Sequence, residues 1–139
     1  MVLDTRLVII LSSALTAAEA ANAAAVLGLA ASAYTSDLGA KAVDGDGRGY
    51  GALDPHPIPL LAASPGELAR LHEKADADPA LAVTAFTEAA RRSRDYDDYL
   101  SRLADTRSAD VTYAGLAVYG PRNRVTAATK RLALYGAAS

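Results

Sequence analysis

Proton transfer near neutral pH falls first to histidine, and this chain holds two, His56 and His72. His56 stands between Asp54-Pro55 and Pro57, in a stretch that reads as loop, and is the stronger candidate for an acid or base. His72 follows Leu68 by about one helical turn and reads as a partly exposed helix residue. Glu88 is a second acid/base candidate, and Tyr50 or Tyr119 could supply a hydroxyl donor. His56, Glu88 and Tyr50 thus form the expected catalytic set, which works only if at least two of them converge within hydrogen-bond reach. Ser12 and Ser13 end an apolar run, where open α/β sheets hold ligands, but no Gly-x-Ser-x-Gly elbow surrounds them. The absence of that turn argues against a serine hydrolase.

Other motifs have structural readings. Asp44-Gly-Asp-Gly-Arg-Gly-Tyr-Gly51 begins like a calcium loop, yet Arg48 and Pro55 stand where oxygen ligands belong. A glycine-rich turn packed by Tyr50 is expected there, and no metal. Gly120-Pro-Arg-Asn123 joins a strand to a helix. Arg122 and Asn123 could hold a carboxylate or phosphate, although a turn in which Asn caps the helix is the expected role. Arg91, Arg92 and Arg94 precede Asp95, Asp97 and Asp98, the mixed charge of a solvated helix face. Tyr96 and Tyr99 share a face, and their rings are expected in the core with hydroxyls at its edge.

The elements that must carry these residues follow from periodicity. Residues 6–12 are β-branched and Leu-rich without alternation, as in a strand buried on both faces. Thr16-Ala-Ala-Glu19 is a capping box that opens a helix over 16–33, and residues 34–57 form a long loop with room for a small hairpin. A strand over 58–63 meets a second helix start at Ser64-Pro-Gly-Glu67, which ends near Asp76 with Leu68 and Leu71 inward. A strand over 81–86, a polar stretch over 87–94, a helix over 95–104, a strand over 111–119 and a helix over 125–132 complete the order. Alternation of strand and helix gives a single α/β domain over 1–139, with a mostly parallel sheet.

Composition bounds the possibilities. The chain has 139 residues, of which 33 are Ala, and Phe, Trp and Met together number two, so the core rests on Leu, Val, Ile and Tyr. Without Cys there are no disulfides, Cys-ligated metals or thiol nucleophiles. A net charge of −2 argues against nucleic acid as a partner. The first twenty residues resemble a secretory leader with Ala18-Glu-Ala20 as its cleavage site, but the apolar run is short and Asp4 offsets Arg6. A folded strand–helix unit, a cytoplasmic location and no membrane association are expected, and no cofactor is implied.

Arg6-Leu-Val-Ile-Ile-Leu11, the Ala-rich helix ending at Tyr34, Gly115-Leu-Ala-Val-Tyr-Gly-Pro-Arg-Asn-Arg-Val125 and Leu132-Ala-Leu-Tyr135 resemble type II peptidyl-tRNA hydrolases over nearly the whole chain. Asn22-Ala-Ala-Ala-Val, the Asp44 loop, His56-Pro-Ile-Pro-Leu60, Gly120-Pro-Arg-Asn123 and Lys130-Arg-Leu132 resemble a bacterial domain-of-unknown-function family, family two thousand, related to those hydrolases. The resemblance implies a three-layer sandwich, with a four-stranded mixed sheet that has one antiparallel strand, and often a homodimer. It does not carry the chemistry. Where the hydrolases place Lys, His and two Asp, this chain has Ala21 or Asn22, Gly28, Ser13-Ala14-Leu15 and Thr87-Glu88.

The expected function is therefore small-molecule binding or an accessory role, in an ancestral groove whose ionisable groups have become neutral. Ser13, Asn22, Thr87 and Glu88 would line that groove and fix a polar ligand. An enzyme with reassigned acid/base chemistry, and an aminoacyl- or peptidyl-tRNA ester hydrolase, are the alternatives.

Overall fold

Eight residues rich in β-branched and Leu side chains, Thr5–Ser12, form β1, and six of them are buried. The computed structural model describes residues 3–35 and 38–137. The first two positions of the leader-like stretch, positions 36 and 37 of the long loop, and positions 138 and 139 lie outside the described residues. After β1 come α1 (Ala17–Ala31), β2 (Leu60–Ala63), α2 (Pro65–Asp76), β3 (Ala82–Thr87), α3 (Glu88–Arg92), α4 (Tyr96–Ala104), β4 (Tyr113–Pro121) and α5 (Arg122–Thr129).

Both expected capping boxes are present. Thr16 and Glu19 exchange hydrogen bonds at the start of α1, and Ser64 and Glu67 do so at the start of α2. Each pair satisfies backbone N–H groups that a helix start leaves free.

The strands form one four-stranded mixed sheet in the order β2-β1-β4-β3. β1 and β2 pair in parallel, whereas β4 runs antiparallel to both β1 and β3. Three strands therefore point one way, but the reversed strand lies between two of them. A four-stranded mixed sheet with one antiparallel strand is what the resemblance implied, and the central place of that strand makes two of the three ladders antiparallel. The alternation of β1 divides the core. Leu7, Ile9 and Leu11 pack with Ala20, Ala23, Leu27 and Ala31 of α1 on one face. Val8 and Ile10 pack with Leu68 of α2 and Val125 of α5 on the other.

The small side chains of α1 let it approach the sheet closely. A Cβ added at Gly115 would stand 2.8 Å from the Ile10 carbonyl and 2.9 Å from Leu27 Cδ1. At the outer edge, the Ala62 N–H donates to the Ala133 carbonyl and the Tyr135 N–H to the Leu60 carbonyl, so the C-terminal segment pairs with β2.

Three boundaries depart from expectation. The polar stretch over 87–94 contains α3, which Thr87 caps by accepting from the Ala90 N–H. β4 continues through Gly120 to Pro121, and α5 starts at Arg122, earlier than the pattern suggested. Asn123 is then inside the first turn and no side chain caps α5, which corrects the expected Asn cap. Tyr96 is 71% exposed and stacks edge-on with Tyr99 at 5.5 Å, so the expectation that both rings enter the core fails for Tyr96. The short α4 buries none of its residues.

Candidate functional site

The C-terminal ends of β1 and β3 are where the sequence placed the groove. Ser13 and Asn22 are exposed there, and Thr87 is buried with its hydroxyl committed to the cap of α3. Glu88 follows at once and meets a cation. Arg91 Nε donates to Glu88 Oε2 at 2.9 Å, and Arg91 Nη1 donates to Glu19 Oε2 at 2.6 Å. Arg92 lies 3.5 Å from the same Glu88 oxygen.

Backbone and hydroxyl hydrogen bonds from Thr16, with Arg91 beside it, hold Glu19 below the usual carboxylate range. The hydrogen bond to Glu88 raises Arg91 in turn. The expectation of a neutral groove is thereby corrected, since an ionic cluster of α1 and α3 occupies this end. Its carboxylates face guanidinium groups, an arrangement that fastens α1 to α3. Among the described residues, the main cavities are lined by none of Ser13, Asn22 and Glu88.

Tyr50 lies in a separate place. Its hydroxyl donates to Asp44 Oδ2 at 2.6 Å, while Asp44 Oδ1 accepts the backbone N–H groups of Asp46 and Arg48. Val43 and Gly49 bridge across this turn as the stem of a small hairpin. Gly47 takes φ of +86°, a conformation that side chains with a Cβ rarely adopt. The Tyr50 bond and then the two backbone N–H groups depress the Asp44 pKa, and Asp44 raises that of Tyr50. Both oxygens of Asp44 are thus engaged within the loop. Among the described residues, no three His, Asp or Glu side chains gather as a metal site would require. His56, Glu88 and Tyr50 do not converge.

His56 instead finds partners of its own at the opposite end of β1. Its Nδ1 lies 2.6 Å from Asp54 Oδ1, which also accepts the His56 backbone N–H at 2.9 Å. Its Nε2 lies 2.7 Å from the Thr5 hydroxyl. With Asp54 ionised and the ring neutral, Nδ1 carries the proton and Nε2 is left to accept from Thr5 Oγ1. Burial opposes ionisation of Asp54, but the His56 backbone N–H, the Thr35 hydroxyl and the His56 ring outweigh it and hold the carboxyl below its usual range. The His56 side chain is 8% exposed. Tyr119 meets it edge-on at 5.7 Å and stacks in turn on Tyr34, just beyond α1, at 6.1 Å.

This relay borders a cavity of about 210 Å³ lined by Leu3, Thr5, Arg6, Pro55, His56, Pro57 and Arg122. The Arg122 N–H donates to the Asp4 carbonyl, which brings the start of α5 beside the start of β1. Among the described residues, the buried Nε of Arg6 has no hydrogen-bond partner. Two cations, an imidazole and a hydroxyl thus share one small space. Of the residues expected to act, the structure brings His56 and Arg122 together here. Thr5 and Arg6 were beyond sequence reasoning, because 51 residues separate Thr5 from His56. The usable signal was Asp54, two positions from His56 in a proline-bounded turn.

A larger groove of about 1130 Å³ runs along β3, lined among others by His72, Asp76, Thr84, Tyr99 and Tyr113. The Tyr113 hydroxyl pairs with His72 Nδ1 at 3.2 Å. Burial, with a smaller contribution from Asp76, pushes the Tyr113 hydroxyl up. A neutral phenol of this kind donates a hydrogen bond and does not act as a base. Among the described residues, no helix is long and apolar enough to cross a membrane.

The family described as "Protein of unknown function (DUF2000)" matches residues 5–136. A solved structure of a protein of unknown function from Agrobacterium tumefaciens superposes with a TM-score of 0.85 at 21% identity, covering 97% of this chain and 100% of that one. At that identity the likeness establishes the fold. No curated protein matches the chain.

Proposed function

The chain belongs to the DUF2000 family of proteins of unknown function, and we propose that it binds a compact anionic small molecule in the cavity between Thr5, Arg6, His56 and Arg122. The observation that carries this reading is that Arg6 and Arg122 line one small cavity with no carboxylate among its described lining residues. A carboxylate or phosphate entering this space can take charge-assisted hydrogen bonds from the guanidinium groups that border it. The cavity volume of about 210 Å³ sets the size of the ligand, a carboxylate or phosphate with few atoms beyond its charged group.

Relative to the sequence expectation, ligand binding moves from Ser13, Asn22, Thr87 and Glu88 to the other end of β1. Descent from a type II peptidyl-tRNA hydrolase scaffold is part of this reading, with the ester-cleaving groups at the strand ends replaced by the Glu19–Arg91–Glu88 cluster. Incubation with a charged tRNA is expected to release the acyl group no faster than the spontaneous rate. A homodimer is also part of the proposal. Val26 and Leu29, exposed on α1, are the surface we assign to it. Sedimentation should then report twice the chain mass, and a monomer at all concentrations would dismiss that element.

The test of binding is thermal denaturation with phosphate, sulfate and acetate. At a concentration of about 100 times Kd, a ligand of the native state adds about 2.7 kcal/mol. The stabilisation should disappear in Arg6→Met and weaken in Arg122→Met. Equal shifts in wild type and in the double variant would refute the reading.

A further inference from the structure

We propose that Thr5 is a nucleophile and that Asp54, His56 and Thr5 form an acyl-transfer relay, able to cleave an ester or thioester of a small acid. The expectation of a small anionic acid as the acyl group rests on the anion-binding reading above. The relay itself rests on separate observations.

The geometry is that of a hydroxyl activated by an oriented base. Oγ1 of Thr5 is 2.7 Å from His56 Nε2, and Nδ1 is 2.6 Å from Asp54 Oδ1. A nucleophile–base bond and a base–carboxylate bond, both within about 2.6–3.2 Å, are the two links such chemistry requires. A third feature distinguishes the arrangement from a simple fastening of the loop to β1. Thr5 and His56 both line the cavity, so a carbonyl compound bound there lies beside both residues. The ring is nearly buried, so a partner other than the cavity's occupant has little access to it. Arg6 and Arg122 line the same space and supply positive charge for a developing oxyanion.

The steps balance. Oγ1 bonds to the carbonyl carbon as its proton passes to His56 Nε2. The bond to the leaving alcohol or thiol breaks, and that group takes the proton from Nε2. Water then attacks the acyl-Thr5 carbonyl, giving a proton to Nε2, and the bond from carbon to Oγ1 breaks as Oγ1 recovers it. The sum is ester plus water giving acid plus alcohol. Asp54 touches no reacting atom. It is a positioning residue that holds the proton on Nδ1 and favours the charged ring formed in each step.

The test is rapid-quench reaction of the full chain with p-nitrophenyl acetate, followed by peptide mass mapping. This probe carries no anionic acyl group, so it reports the relay independently of anion binding. The expected result is an acetyl group on Thr5, retained at the same position in Thr5→Ser, which keeps the hydroxyl. The rate should fall at least about a hundredfold in His56→Ala, as for loss of a general base. Thr5→Val conserves shape and must abolish the adduct even if His56→Ala fails to fold. Asp54→Asn should lower the rate and change its pH profile, whereas a merely structural Asp54 would leave the profile in place. No acetyl on Thr5, or acetylation of Thr5 undiminished in a folded His56→Ala, overturns the proposal. Acetylation of Thr5 without anion-dependent stabilisation would refute anion binding alone.

Discussion

Gly115 is the position at which the closeness of α1 to the sheet can be measured. It lies in β4, opposite Leu11 of β1 and Phe86 of β3, so its backbone is held on both sides. In Gly115→Ala the new methyl would stand 2.8 Å from the Ile10 carbonyl, 2.9 Å from Leu27 Cδ1 and 3.1 Å from Leu11 Cδ2. The side chains can retreat, but the carbonyl belongs to the sheet and cannot.

Overpacking of a tight core costs about 1–3 kcal/mol, and the immobile carbonyl places this case near the upper end. Replacing a strand glycine returns about 0.5–1 kcal/mol by restricting the unfolded chain. A net loss of about 2 kcal/mol remains. For a chain of 139 residues, an unfolding entropy of about 2.1 cal/mol/K per residue converts this to a fall in Tm of roughly 7 °C. Calorimetry and urea denaturation should agree on it. In a Leu27→Ala background one of the close contacts is gone, so the same substitution should cost at least about 0.5 kcal/mol less. A Gly115→Ala protein as stable as wild type would refute the close approach. Full additivity with Leu27→Ala would show that the helix is not what the methyl meets.

Two further substitutions read the two ends of β1. Asp54→Asn replaces a carboxylate that accepts from the His56 ring and backbone, and should cost about 1–2 kcal/mol at pH 7 by urea denaturation, a hydrogen bond to a charged group discounted for partial exposure. Because the folded-state pKa of Asp54 is depressed, its contribution is complete above the unfolded value of about 3.9 and is lost as pH falls through the lower folded value. The two proteins should then converge in acid, and an equal gap at pH 7 and pH 3 would contradict the depressed Asp54 carboxyl. Arg91→Met leaves Glu19 and Glu88 without their shared cation and should lower stability by about 1 kcal/mol, less at high salt, as expected of a partly exposed cluster. Phosphate binding at the far end should be unchanged, and its loss would show that the two ends are coupled.

Much of the scaffold was legible because its determinants are local. Thr16 with Glu19 and Ser64 with Glu67 act across three residues, so the helix starts could be read directly. The apolar run of β1 announced a strand covered on both faces, since every side chain had to be buried. Even the family resemblance is a matter of such local strings. α3 escaped because five residues carry no period, and its start depends on Thr87 being held by β3. The strand β4 reads as a strand in isolation, but its reversal between β1 and β3 depends on the ladders it makes.

The candidate site was legible only in part. The sequence marked His56 and placed Asp54 beside it, a pairing two residues apart. Its third member arrives through the fold. Thr5 and His56 are 51 residues apart, and Glu19 and Arg91 are 72 apart. Hydrogen bonds at such separations leave no periodic trace, because each residue has its own local role as strand, loop or helix. Sequence alone therefore determined the longer helices and the strands, and which side chains are able to do chemistry. Tertiary structure decided which of them meet, because β1 delivers its two ends to different neighbours and only packing chooses those neighbours.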